Sequence, residues 1–138
     1  MGYHMSQVSG RFYLPKRKFA NAVMALQKLH GDEKQHVRWL KDALLKAPDG
    51  LPAVLLDLGW EPDVDERSGD IVRLMFNGEK AGEDFLIFQA LAPFVRRDSF
   101  LHMEGEDGCH WRWWFTGKSA LEQFGRVVFP SPRKRRRK

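Results

Sequence analysis

Apolar residues recur at helical spacing in four stretches of the chain. In residues 16–29, Phe19, Val23, Leu26 and Leu29 fall on one face, Ala20, Ala22 and Ala25 favour helix, and Gly31 is a stop signal. A second amphipathic helix follows. Asp32 is placed to cap it with Gln35 at the capping-box position. Val37, Leu40 and Leu44 form a narrow stripe edged by Trp39 and Leu45, and the opposite side carries Lys34, Arg38, Lys41 and Asp42. This helix ends before Pro48-Asp49-Gly50. Residues 51–58 predict a short buried helix, with Pro52 in its first turn and Gly59 at its end. Residues 83–95 return to helical period through Phe85, Phe88, Leu91 and Val95, with Pro93 ending the helix early.

Between and after these stretches the pattern becomes that of strands. Residues 9–14 are short, aromatic and β-prone, and Pro15 closes them. Residues 61–69 are polar and predict a connector. Residues 70–76 alternate Val72, Leu74 and Phe76 against Ile71, Arg73 and Met75, and Asn77-Gly78 then marks a turn. Residues 99–104 and 109–115 flank Gly105-Glu106-Asp107-Gly108 as a hairpin. After a turn at 116–118, residues 121–129 predict a third strand with a bulge at Gly125. Because strands gather toward the C-terminus, the expected class is α+β: an antiparallel meander of three to five strands with about four helices packed on it.

Charge divides the chain further. The 138 residues carry 23 Lys+Arg and 18 Asp+Glu, a formal charge of +5. The last six residues (Arg133, Lys134, Arg135, Arg136, Arg137 and Lys138) are all basic, and without them 17 positive side chains face 18 negative ones. The basicity therefore belongs to a tail. The expected organisation is a disordered or tag-derived stretch at 1–8, one domain at 9–129 and a disordered basic tail at 130–138. Residues 1–4 read as a cloning remnant ahead of a start at Met5. One cysteine, Cys109, excludes an intrachain disulfide and any zinc site built on several cysteines. With no membrane-length apolar run, a cytoplasmic protein is expected, with nuclear or nucleoid association through the tail if that tail is native.

Candidate chemistry concentrates in the 100–115 hairpin. A two-residue or a four-residue turn gives the same facing. On either, Phe100, His102, Glu104, Cys109, Trp111, Trp113 and Phe115 share one side, and Leu101, Met103, His110, Arg112 and Trp114 share the other. The first side is the more apolar and should face the core. The second mixes aromatic, thioether and cationic groups, a composition enriched at protein interfaces, which makes Met103, His110, Arg112 and Trp114 candidate partner-binding residues.

Catalytic and metal chemistry find little support. Cys109 and His110 are adjacent on a strand and point to opposite faces, so they cannot form a nucleophile–base pair. The acidic run Asp63-Val64-Asp65-Glu66 lacks the rest of a calcium loop, and His30 and His36 are not a helical pair. No phosphate loop is present. No catalytic residues, metal ligands or cofactor are therefore assigned.

Four segments carry a resemblance: Leu58 to Trp60 (L-G-W), Ile71 to Lys80 (I-V-R-L-M-F-N-G-E-K), Leu91 to Val95 (L-A-P-F-V) and Gly105 to Phe115 (G-E-D-G-C-H-W-R-W-W-F). Together they resemble small uncharacterised bacterial α+β proteins of the toxin-immunity type. The resemblance implies a neutralising or binding protein rather than an enzyme. The first expectation is accordingly a protein-binding module of immunity or inhibitor type. The alternatives are nucleic-acid binding driven by the tail, with steep salt dependence, and a small enzyme with a His102/Glu104 pocket.

Overall fold

The computed structural model describes residues 2–32, 37, 39–79 and 81–132. Within them the chain forms β1 (Met5–Arg11), α1 (Phe19–His30), α2 (Leu40–Leu44), α3 (Leu51–Asp57), β2 (Trp60–Val64), β3 (Ile71–Phe76), α4 (Asp84–Leu91), β4 (Phe100–Gly105), β5 (His110–Phe115) and β6 (Ala120–Gly125). The class is α+β, with four helices and six antiparallel strands in two sheets. The larger sheet has the order β1-β4-β5-β6, and β2 pairs only with β3.

Three elements depart from the sequence pattern. The first strand begins at Met5, not Ser9, so residues 5–8 belong to the sheet and not to a disordered lead-in. Apart from the buried Met5 its side chains are mostly polar and exposed, and backbone pairing to β4 makes it a strand. Its Gln7 side chain also joins the two sheets: the amide donates to the Leu74 carbonyl at 3.1 Å and accepts from the Phe76 N–H at 2.6 Å. Residues 61–64, read as the start of a connector, join Trp60 in β2 against β3; Pro62 is tolerated there because a two-stranded sheet has only edge strands. The second helix is shorter than its stripe predicts. Trp39 has φ 70°, in the left-handed region, so no continuous helix passes through it, and α2 starts at Leu40. The proposed Asp32/Gln35 cap depends on Gln35, which lies outside the described residues.

The helices cover one face of the larger sheet. From α4, Phe88 meets Trp113 at 5.2 Å and Phe115 at 5.9 Å between ring centroids. Trp60, fully buried, bridges the sheets by contacting Phe76, Phe88 and Trp113. Behind α4, α1 contributes Ala22, Leu26 and Leu29, and α3 contributes Leu51, Val54 and Leu55. The indole of Trp60 needs a partner in this apolar setting. It donates to Asp84 Oδ1 at 2.9 Å, while Asp84 Oδ2 accepts the Gly82 N–H at 2.9 Å. Burial pushes the Asp84 carboxyl above its ordinary range, and the two donors pull it partly back. Pro93 ends α4 as expected, with a single 3-10 turn at Ala92–Phe94.

Candidate functional site

The facing of the hairpin is set by its loop. Leu101 pairs with Trp113, Met103 with Trp111, His102 with Arg112 and Glu104 with His110. The loop is residues 106–108: Gly105 N–H donates to the Cys109 carbonyl at 2.8 Å, and Gly108 N–H to the Gly105 carbonyl at 2.9 Å. Gly108 sits at φ 85°, the left-handed position that closes a three-residue hairpin loop. An odd loop length shifts the pairing by one residue relative to a two- or four-residue turn, which turns β4 over. Trp111, Trp113 and Phe115 face the core as expected. On β4 the expectation is reversed: Leu101 and Met103 are fully buried, while Phe100, His102 and Glu104 face outward. Met103 is therefore core and is removed from the candidate surface.

The outer face of the sheet is an ordered stack. Phe100 and Trp114 lie 5.7 Å apart with an interplanar angle of 11°. The Arg112 guanidinium sits 4.8 Å from the Trp114 ring centroid, and that of Arg11, on β1, 5.7 Å from the Phe100 ring centroid. Cross-strand pairing produces this order, because Arg11 stands opposite Phe100 and Phe100 opposite Trp114. Leu121 of β6 extends the row and is 46% exposed. α4 packs on the other face, so the ring contacts of Phe100 and Trp114 among the described residues are with one another and with these arginines.

Beside the stack lies a polar row. His102 Nε2 and His110 Nδ1 are 2.9 Å apart and share a hydrogen bond, and His110 Nε2 is 3.8 Å from Glu104 Oε2. Glu104 thus reaches His110 and not His102. Partial burial, with His110 and Arg112 nearby, holds His102 below the ordinary imidazole range against an opposing pull from Glu104. Arg112 Nε donates to Gln123 Oε1 at 2.6 Å. His102, His110, Arg112 and Gln123 line a groove of about 480 Å³ that runs to Arg126 and Val127, just past β6.

Elsewhere the candidate chemistry takes structural roles. Cys109 is exposed, and hydrogen bonding to Asp107 raises its thiol pKa, which disfavours the nucleophilic thiolate. Asp107 also accepts from the Tyr3 hydroxyl, and Glu106 accepts the His4 N–H at 2.7 Å, so residues 3 and 4 are tied to the hairpin loop. Asp65 accepts the Ser68 hydroxyl at 2.8 Å and so shapes the turn between β2 and β3. Among the described residues no cluster of three or more His, Cys, Asp or Glu side chains is arranged to hold a metal ion. No helix among the described residues is long and apolar enough to cross a membrane. The tail residues 133–138 lie outside the described residues.

No protein-family model matches this chain, and neither a curated protein nor a solved structure matches it.

Proposed function

We propose that this protein is a non-enzymatic protein-binding module, of the immunity or inhibitor type, whose contact surface is the outer face of the β1-β4-β5-β6 sheet. The observation that carries the reading is the Arg11–Phe100–Trp114 stack with Arg112 beside it, which no helix covers among the described residues. Aromatic and arginine side chains held rigid before contact are the groups that dominate interface energetics, because little side-chain entropy remains to be lost. Arg112 and Arg126 line the groove, Arg11 stands on the stack, and no carboxylate is among the groove's described lining residues, so the complementary partner is an acidic protein surface. Of the residues singled out from the sequence, His110, Arg112 and Trp114 remain in this surface, and Phe100 and Arg11 join them.

The test is affinity capture from nuclease-treated lysate with wild type, Trp114→Ala and a chain truncated after Pro132, read by mass spectrometry. The reading expects one protein retained by wild type and by the truncated chain. Trp114→Ala should lose about 2 kcal/mol of binding, roughly thirtyfold in affinity. Equal retention by Trp114→Ala refutes it. A second reading, nucleic-acid binding, is favoured by the six consecutive basic residues 133–138 and by Arg112 and Arg126 in the groove. It expects binding that weakens steeply with salt and is lost on truncation.

A further inference from the structure

A second cavity opens on the opposite side of the sheet, where the start of α4 meets the inner face of β5 and β6. Its volume is about 410 Å³, within the range of small-ligand sites. Phe85, Trp111, Trp113 and Phe124 wall it, and Tyr3 stands at its rim with its ring 6.2 Å from that of Trp111. The ionisable groups that line it are acidic apart from the Tyr3 phenol and the Cys109 thiol, and no Lys, Arg or His is among its described lining residues. Glu122 accepts the Trp113 indole N–H at 2.9 Å, and Glu83 lies at the mouth. Asp84 is set apart from these two, because both of its oxygens already accept bonds from Trp60 and Gly82.

An aromatic ring attracts a cation placed over its face and so favours cations over neutral groups of equal size. Carboxylates at the rim act in the same direction. An anion meets Glu83 and Glu122 with no described counter-charge, and a neutral apolar ligand leaves their attraction unused. We propose that this cavity binds an alkylated ammonium group, either as a free small cation or as the head of an alkylated lysine side chain. The cavity shares Trp111 and Phe124 with the outer groove but none of the Arg11–Phe100–Trp114 stack, so it stands whether or not that stack binds a protein.

The probes are choline, its neutral isostere 3,3-dimethylbutan-1-ol, and a short peptide carrying one trimethyl-lysine. Binding is read on the full chain from indole N–H shifts by nuclear magnetic resonance. Saturable movement of Trp111 and Trp113 with a stationary Trp114 is expected for choline, for the peptide or for both. Whichever binds more tightly identifies the source of the cation. The neutral isostere should bind at least about tenfold more weakly than choline. Glu122→Gln, which keeps an acceptor for Trp113, and Glu83→Gln should each weaken the better cation severalfold. The proposal is overturned if neither cation gives a saturable shift, if the neutral isostere binds as tightly as choline, or if both Gln variants, folded by their spectra, bind like wild type.

Discussion

Replacing Asp84 tests how the two sheets and α4 are held together. Trp60 is fully buried, and the only polar atom of its side chain donates to Asp84 at 2.9 Å. Asp84→Ala leaves that N–H without a partner in an apolar setting, which costs about 1–3 kcal/mol. It also frees the Gly82 N–H, but Gly82 is exposed and water replaces the lost acceptor. A partial gain offsets this, because burial already disfavours the ionised carboxyl. The net expectation is a loss of about 2 kcal/mol, which for a chain of this length lowers Tm by roughly 6–10 °C. Urea unfolding followed by tryptophan fluorescence gives the free energy directly. Asp84→Asn should fall between, since its single carbonyl can serve only one of the two donors. The pH dependence supplies a second check. The folded-state pKa lies above the ordinary 3.8, so folding binds protons between the two values. Stability from this group is full below 3.8 and declines as pH rises through the folded value, then levels. Asp84→Asn lacks that decline, so the advantage of wild type over it should shrink as pH rises from about 4. An Ala variant within about 0.5 kcal/mol of wild type, smaller than the cost of one stranded buried donor, refutes the reasoning. So does an Asn variant with the pH profile of wild type.

Two further outcomes concern the hairpin. Gly108→Ala meets no atom within 4 Å, so its effect is conformational alone; at φ 85° it should destabilise by about 1–2 kcal/mol in the same urea titration. His102, held below 6.5 in the folded chain, binds protons less readily there than when unfolded. Its contribution to stability is present above 6.5 and is lost as pH falls through the folded value; His102→Asn should flatten that part of the pH–stability curve, and an unchanged slope below pH 6.5 counts against the assignment.

The candidate surface was half legible in the sequence. The run Trp111-Arg112-Trp113-Trp114-Phe115 alternates strongly enough to place Trp111, Trp113 and Phe115 inside without knowledge of the partner strand. For β4 a two- or four-residue turn conflicts with the strand's own pattern. Leu101 and Met103 alternate with His102 and Glu104, and that alternation alone places the two apolar residues inward. The aromatic stack had no such signal. Arg11 is 89 positions before Phe100, and only the pairing of β1 with β4 brings them together.

What the chain determines locally is the α+β class, α1, α3 and α4, the inner face of β5 and the confinement of excess charge to the last six residues. Each is encoded by neighbours in sequence, through helical or alternating periodicity, proline and glycine positions, or simple charge. The tertiary structure alone decided that β1 joins the larger sheet, that residues 60–64 form a strand and that α2 starts only after Trp39. It also decided that a three-residue loop sets which side of β4 meets the core. Long-range backbone pairing and packing settle these features. A one-residue change in register moves every side chain of a strand to the other face while leaving its local sequence untouched.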